Sequence, residues 1–564
     1  MSLLSEPLTL PCGAILPNRI AKAAMTEGMA TPEGRPTPEL DRLYGLWSDG
    51  GAGLLIGGNL VIDRDHLERP GNVVIDRAPD ADMHERLSRW AAAATRGGNH
   101  FWAQISHSGR QTPAVVNAHP KSASDVKLGL PGGQFGQPEP LTRDEITELV
   151  GRWAVAAKAC QDAGFTGVQV HAAHGYLMSQ FLSPLSNRRT DDYGGSLENR
   201  ARLLLDVIAA IRAATGPDFP ISVKLNSADF QKGGFAFEDS LAVAGWLESA
   251  SVDLLEISGG TYEQPKLLGI EGMEDSAPQN VAPSTLAREA YFVDFALAMQ
   301  TRVSVPLMVT GGFRSRAAME QALERGAADV IGLGRPMCLM ADAPKRLLAG
   351  DEALPRYEDG LGLVPGWLGF LRRFQMVKAI DGFAGIYWFY QQLWLLGHKG
   401  RIDERLSVFS AFRTLEARNK AIMKALKHFI RHPREGGGPA CSGVESVEKI
   451  EPFGILLFDQ TEFPMAIPFL QCLFPHNGIA DIIVRFGVDQ AIQPITFTKI
   501  GPVAGAMLKN AGGEMGCHSD VDGAAVAVGH NVNVTAFGHC EHLKSWTPAF
   551  AGVTYEVFKR LPPP

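Results

Sequence analysis

The chain has 564 residues, of which 45% are hydrophobic, and its formal net charge is -8. This length and hydrophobic content allow a large buried core, so at least part of the chain is expected to be globular. Lysine and arginine are spread along the sequence without a long basic block, so nucleic acid is not an expected partner.

The cysteines and the apolar segments restrict the class of protein further. The seven cysteines are dispersed, and none stands at C-x-x-C spacing, so neither a disulfide framework nor a cysteine-ligated iron–sulfur cluster is indicated. The first residues, MSLLSEPLTLPCG, lack the features of a secretory signal. The most apolar later run, Phe383–Leu396, is too short to span a membrane and is interrupted by two glutamines. We therefore expect a cytoplasmic protein with no membrane partner.

Between residues 20 and 350, short apolar runs alternate with longer segments of helical periodicity, the pattern of βαβ units. The predicted strands are Ile20–Met25, Leu54–Leu60, His100–Ser106, Gly167–His171, Ile221–Asn226, Leu254–Ser258, Pro306–Thr310 and Val330–Leu333. The predicted helices are Pro38–Ser48, Met83–Ala93, Arg143–Asp162, Leu197–Ala214, Phe237–Ser249, Ser284–Met299, Ser315–Gly326 and Ala343–Leu348. Eight such units predict an α/β fold, a closed (β/α)8 TIM barrel whose functional face is formed by the loops after the strands.

The composition changes twice after the barrel. We expect a barrel domain over residues 1–355 and a helical extension over residues 356–430. The aromatic residues of that extension available to pack on the barrel are Trp367, Trp388, Tyr390 and Trp394. Residues 431–564 begin with the turn-rich run HPREGGGPACSG and continue with strand-like runs that lack helical partners. This atypical tail is expected to be disordered or poorly structured and without evolved function, and a small genuine domain is the alternative.

A cluster of polar residues follows the fourth predicted strand. The segment VHAAHGYL places His171 at the end of the strand, with His174 and Tyr176 in the loop after it. Residues at these positions can point into the mouth of a barrel and serve in acid–base chemistry. The alternatives are hydrogen-bonded core histidines or the metal ligands of a barrel hydrolase, but no carboxylate neighbours them at H-E-x-x-H spacing. No metal is expected.

The longer segment HAAHGYLMSQFLSPLSNRRTDDYGGSLENRAR resembles the signature of the Old Yellow Enzyme family. The resemblance extends from about residue 5 to about residue 350, with further motifs in the family's order. It implies an FMN barrel that takes hydride from NAD(P)H and reduces the activated C=C bond of an α,β-unsaturated carbonyl compound. A non-catalytic flavin-binding protein is the alternative of a different class.

The resemblance also bears on kinetics and assembly. Relatives with a second dinucleotide-binding domain carry clustered cysteines and a G-x-G-x-x-G motif, and this sequence shows neither in its C-terminal part. NADH or NADPH and the oxidant are therefore expected to use one pocket in turn, in a ping-pong mechanism. The expectation of a homo-oligomer comes from the resemblance alone.

Carried over to this sequence, the family's catalytic residues fall on the same cluster. The resemblance implies that His171 and His174 donate hydrogen bonds to the substrate carbonyl oxygen, as a small oxyanion hole does. It implies that Tyr176 delivers the proton to the α-carbon. Many members carry Asn where His174 stands, and His is also common there.

The resemblance further assigns contacts with the flavin ring. In NRIAKAAMTEG, Thr26 corresponds to the residue that bonds flavin O4, and Ala24 and Met25 line the ring. Gly58, in LLIGGNL, corresponds to a position where a side chain would clash with the isoalloxazine. Gln104, in WAQISHSGRQ, corresponds to the amide that pairs with the flavin pyrimidine.

Two further sites complete the implied cofactor contacts. Lys224, in ISVKLNS, stands where most members carry Arg beside flavin N1 and O2, and its charge favours the reduced flavin. The phosphate is expected at the loops after strands seven and eight. There Gly311 and Gly312 of VTGGFRS and Gly334 of IGLGRP let backbone N–H groups approach, and Arg335 adds a cation.

Overall fold

A computed structural model of the protein describes residues 2–130, 133–261, 292–362 and 375–431. Eight strands form one closed, parallel barrel in which each strand pairs with its neighbours in the chain. We label them β1 (Ile20–Lys22), β2 (Leu54–Val61), β3 (His100–Ser106), β4 (Gly167–Ala172), β5 (Ile221–Asn226), β6 (Leu254–Ser258), β7 (Leu307–Thr310) and β8 (Val330–Leu333). The predicted (β/α)8 barrel is confirmed.

The helices alternate with the strands over most of the chain. They are α1 (Pro38–Asp49), α2 (Ala81–Thr95), α3 (Arg143–Asp162), α4 (Leu177–Leu182), α5 (Leu197–Thr215), α6 (Phe237–Ser249), α7 (Val293–Gln300), α8 (Arg316–Glu324), α9 (Ala343–Ala349), α10 (Gln375–Lys399) and α11 (Val408–Arg431). The first eight residues of the helix predicted at Ser284–Met299 lie outside the described residues.

Side chains at the helix starts explain several boundaries. α2 begins two residues earlier than predicted because the Asp80 carboxylate accepts a hydrogen bond from the Met83 N–H. Thr142 and Glu145 form a reciprocal capping box at the start of α3. Ser196 caps α5 by accepting from the Asn199 N–H.

β1 is shorter than predicted and ends at Lys22. The following residues turn across the barrel mouth, so that the Met25 carbonyl oxygen meets the backbone of Gly58 on β2. A Cβ atom placed on Gly58 would lie 1.5 Å from that oxygen. The glycine therefore permits a close approach between the loop after β1 and strand β2.

Two small sheets and two long helices complete the described fold. Leu8–Thr9 pairs with Ile15–Leu16, and Lys121–Ser122 pairs with Glu139–Pro140. α10 packs against α1, where Arg42 donates to the carbonyls of Gly397 and His398. Trp388 on α10 is buried, and its indole N–H donates to the Leu406 carbonyl.

Trp367, and the predicted tail from residue 432 onward, lie outside the described residues. Among the helices that the structure describes, none is both long enough and apolar enough to cross a membrane.

The barrel interior combines apolar strands with several buried charges. Aromatic side chains of the surrounding helices, including Trp47, Trp90 and Trp153, are fully buried in the main core. Lys224 and Glu256 lie inside the barrel on adjacent strands, and both are buried. Buried charges require partners, and these two residues are each other's partner.

Candidate active site

The predicted catalytic cluster lies at the carboxyl end of β4. His171 is the fifth residue of that strand, and Tyr176 directly precedes the short helix α4. The His171 imidazole meets His174 and Tyr176 edge to face, with ring centroids 5.1 Å and 4.7 Å away. His171 and Tyr176 are only 3% and 4% exposed. The structure therefore brings the three predicted catalytic residues together.

Local hydrogen bonding determines the tautomer of His171. The Ala173 N–H donates to His171 Nδ1 at 3.2 Å, so in the neutral ring the proton resides on Nε2. Burial lowers the pKa of His171 far below its usual value, and the nearby His174 and Lys224 lower it further. His171 is thus a neutral hydrogen-bond donor, whereas a metal ligand would need a lone pair at Nε2.

His174 is fixed through both its backbone and its side chain. Its backbone is in the left-handed region, with φ of 61°, and its N–H donates to Asn226 Oδ1 at 3.1 Å. Its Nε2 lies 2.6 Å from the Ser258 hydroxyl oxygen. Burial and the charge of Lys224 lower the pKa of His174 well below its usual value. When the Ser258 hydroxyl donates to Nε2, the proton of the neutral ring is on Nδ1, where it is available to a ligand.

Lys224 belongs to a buried polar chain that crosses four strands. Its Nζ lies 2.8 Å from Glu256 Oε1. Glu256 Oε2 accepts from Gln169 Nε2 at 2.9 Å, and Gln169 Oε1 accepts from Gln104 Nε2 at 2.7 Å. Lys224 also stands opposite His171 in the pairing of β4 with β5. Two predicted cofactor residues, Gln104 and Lys224, are thus connected through two residues that the sequence analysis did not single out.

The loop after β1 carries Ala24, Met25 and Thr26 across the barrel mouth. The Asn59 amide donates to the Thr26 hydroxyl at 3.2 Å, which ties this loop to β2. Met25 Sδ lies 3.4 Å from Cys338 Sγ, beyond the end of β8. Thr26 is buried, and Met25 and Ala24 are half-buried. The loop is therefore held between the ends of β2 and β8.

A second buried ion pair supports the same loop. Lys22 Nζ donates to Glu27 Oε1 at 3.1 Å and to the Ile56 carbonyl at 2.8 Å. The Tyr44 hydroxyl donates to Glu27 Oε1 at 2.6 Å. Burial lowers the pKa of Lys22 and raises that of Tyr44. These contacts connect β1, α1 and β2 with Glu27, the residue that follows Thr26 in the loop.

The predicted phosphate loops contain glycines in backbone conformations that other residues rarely adopt. Gly311 and Gly312 have φ values of 140° and 77°, which L side chains rarely adopt. A Cβ atom on Gly334 would meet no atom within 4 Å, so the space beside it is open. Arg335 is exposed, with its guanidinium 3.6 Å from Glu358. Glu358 also pairs with the buried Arg314, a cation that the sequence analysis did not assign.

The described residues contain one further cluster with metal-ligand chemistry, formed by Asp63, His66 and His107. Backbone N–H groups of Lys121 and Gly109 donate to His66 Nε2 and His107 Nδ1, at 2.8 Å and 3.1 Å. The opposite nitrogens, which face Asp63, therefore carry the protons in the neutral rings. Both rings present N–H groups to the carboxylate, and Arg152 pairs with the same carboxylate at 3.1 Å. The two imidazoles thus turn N–H groups, not lone pairs, toward a carboxylate that is already ion-paired with Arg152.

Comparison with known proteins places this geometry in a family. The model of the NADH:flavin oxidoreductase / NADH oxidase family matches residues 4–352. An NADH-dependent flavin oxidoreductase of Hypocrea jecorina is 37% identical over 366 residues, which cover 62% of this chain and 89% of the relative. An NADH-dependent flavin oxidoreductase of Neonectria is 37% identical over 374 residues, which cover 63% of this chain. This chain spans only 48% of the length of that relative.

Among solved structures, an Old Yellow Enzyme homologue from Zymomonas mobilis aligns with a TM-score of 0.52 and 25% identity. The alignment covers 62% of this chain and 94% of the homologue. The resemblance drawn from the sequence is thereby confirmed, and with it FMN as cofactor and NAD(P)H as reductant. The chain belongs to the NADH:flavin oxidoreductase / NADH oxidase family, the family of Old Yellow Enzyme.

Proposed function

We propose that the protein is an FMN-dependent ene-reductase, which reduces the activated C=C bond of an α,β-unsaturated carbonyl compound with hydride from NAD(P)H. The observation that carries this proposal is the cluster at the end of β4. There a neutral His171 with its proton on Nε2 lies beside both His174 and Tyr176. Two neutral donors and a phenol match the needs of an enone, whose oxygen gains negative charge and whose α-carbon takes a proton.

The residues at the barrel mouth fit FMN. Glu256 can only accept hydrogen bonds while ionised, so Gln169 turns its NH2 group toward it and its oxygen toward Gln104. Gln104 then keeps its own oxygen and one N–H for another partner. A flavin pyrimidine offers an N–H and a carbonyl oxygen side by side, which complements that amide edge. The glycine backbone at Gly311, Gly312 and Gly334 leaves space for a phosphate near Arg335.

Each catalytic residue has a distinct task in this proposal. Hydride transfer from the nicotinamide to the β-carbon of the substrate is the chemistry that bound FMN would supply. His171 and His174 donate to the carbonyl oxygen and stabilise the charge that develops there. Tyr176 delivers a proton to the α-carbon. Because both histidines are neutral, they bind the carbonyl oxygen without protonating it.

NADH is the reductant to test first, because the fungal relatives are named NADH-dependent flavin oxidoreductases. We further propose that the nicotinamide and the enone enter the same mouth in turn, which predicts ping-pong kinetics. The metal-hydrolase alternative has less support, since His171 presents an N–H where a ligand would need a lone pair.

An anaerobic stopped-flow titration at the flavin absorption band tests the proposal. NADH or NADPH is added to the purified, FMN-loaded protein, and 2-cyclohexenone follows. Bleaching by the nicotinamide and recovery with the enone are expected. A protein that stays colourless when FMN is supplied would contradict the cofactor assignment, and bleaching without recovery would contradict the enone as oxidant.

A further inference from the structure

Glu256 is a fully buried charged group near the predicted flavin site, with 0% of its surface accessible. It lies on β6, directly opposite Lys224 of β5 in the strand pairing. Its two carboxylate oxygens have different partners: Oε1 accepts from Lys224, and Oε2 accepts from Gln169. A single buried carboxylate is thus shared between a cation and an amide.

The first consequence concerns charge. At 2.8 Å, Glu256 offsets most of the field that Lys224 would exert on a group beyond it. Lys22, another buried cation, is offset in the same way by Glu27. Low pKa values leave His171 and His174 neutral. A flavin beside Lys224 would therefore experience a weaker positive field than Lys224 alone would create.

The second consequence concerns orientation. Because an ionised carboxylate cannot donate, Gln169 must turn its NH2 group toward Glu256. Gln169 then presents oxygen to Gln104, and Gln104 must turn its NH2 group toward Gln169. The orientation of the Gln104 amide is thus determined by the negative charge of Glu256, which acts through Gln169.

We propose that Glu256 is a positioning residue for FMN, which holds the flavin reduction potential down by offsetting Lys224 and orients Gln104 toward the pyrimidine through Gln169. The inference rests on the proposed placement of the flavin beside Gln104 and Lys224. It assigns Glu256 no contact with substrate.

Three variants of the FMN-loaded protein separate the two roles. Glu256→Gln keeps the volume but removes the charge and adds a donor toward Gln169. Gln169→Leu cuts the amide chain and leaves the ion pair intact. Lys224→Met removes the cation. The readouts are the two-electron reduction potential, measured by equilibration with a redox dye, and the dissociation constant of oxidised FMN, measured by flavin fluorescence.

In Glu256→Gln we expect the ratio of reduced to oxidised flavin at a fixed dye potential to rise at least about tenfold, or ~30 mV. The same variant should bind oxidised FMN at least about tenfold more weakly, because Gln104 can then turn a donor toward the pyrimidine N–H. Gln169→Leu should weaken FMN binding while moving the potential little. Lys224→Met should move the potential in the opposite direction.

The outcomes distinguish the inference from the placement on which it rests. If Lys224→Met lowers the potential but Glu256→Gln changes neither the potential nor FMN binding, the flavin placement holds and the role of Glu256 is wrong. If all three variants keep the wild-type potential and affinity, the placement itself is wrong. If Glu256→Gln does not fold, the double variant Lys224→Met/Glu256→Gln is used in place of that single variant, because it removes both charges of the pair. Relative to Lys224→Met, the double variant must then have the higher potential.

Discussion

The imidazole of His171 meets the phenol ring of Tyr176 edge to face, with 4.7 Å between the ring centroids. The two side chains come from different elements, the end of β4 and the residue preceding α4. Their contact places the neutral His171 and the proposed proton donor Tyr176 at the same side of the barrel mouth. The two groups that the proposed reaction would use at the oxygen and the α-carbon of an enone are therefore adjacent.

Tyr176→Phe should separate the two half-reactions. The variant keeps the ring that packs on His171 but loses the hydroxyl, so it cannot deliver the proton to the α-carbon. We expect reoxidation by 2-cyclohexenone to slow about 100-fold or more, the usual contribution of a positioned acid. Reduction by NADH should be unchanged. Stopped-flow absorbance at the flavin band measures both rates, and an equal loss in both would instead indicate a structural role.

The left-handed backbone at residue 174 allows a matched pair of variants. Asn adopts φ values near the observed 61° with little strain and also carries an N–H donor, so His174→Asn should retain enone reduction within about threefold. His174→Ala loses the donor and should reduce the rate of enone reduction about 100-fold. Steady-state kinetics with 2-cyclohexenone make the comparison. Equal rates in the two variants would show that residue 174 does not bind the carbonyl.

The sequence was sufficient to predict the barrel because its strands are continuous apolar runs with clear helical segments between them. β3, β5, β6 and β8 agree with the predicted bounds at both ends. β1 does not, because residues 23–25 look like strand in the sequence while the chain has to turn toward Gly58. Local pattern carries no information about that long-range contact.

The candidate site was predictable only as far as the family motifs extend. His171, His174 and Tyr176 stand in one motif, and the structure brings them together. Glu256 was missed because, within the apolar run DLLEIS, a single acidic residue gives no sign of which strand faces it. Its pairing with Lys224 depends on strand register, which the sequence does not state. A charge inside a buried strand was nevertheless the available signal, since such a charge needs a partner.

The stability of the protein should decrease in acid because of His107. Burial, with the neighbouring His66, lowers the pKa of His107 from 6.5 to about 4. In the unfolded chain, His107 therefore binds a proton below pH 6.5, whereas in the folded chain it binds one only when the pH falls to about 4. The stabilisation is complete above pH 6.5 and is lost as the pH falls toward 4, by about 3 kcal/mol in total.

Denaturant unfolding at several pH values measures this effect. His107→Gln should flatten the dependence of the free energy of unfolding on pH between 6.5 and 4, because Gln does not titrate. His119→Gln provides the matched control, since His119 is exposed on the loop after the same strand. If both variants keep the wild-type slope, the acid sensitivity arises elsewhere.

Gly58→Ala tests the close approach between the loop after β1 and strand β2. The new methyl group would lie 1.5 Å from the Met25 carbonyl oxygen, so the loop that carries Thr26 must move. We expect the free energy of unfolding to fall by at least about 2 kcal/mol, as overpacking a rigid backbone contact does. FMN content should fall with it.

Gly151→Ala is the control, because Gly151 lies in α3 with no atom within 4 Å of the added group. Alanine should stabilise that helix by about 0.5–1 kcal/mol. Denaturant unfolding and the flavin-to-protein absorbance ratio give the two values. A Gly58→Ala protein with wild-type stability and flavin content would show that the loop after β1 can shift without affecting the site.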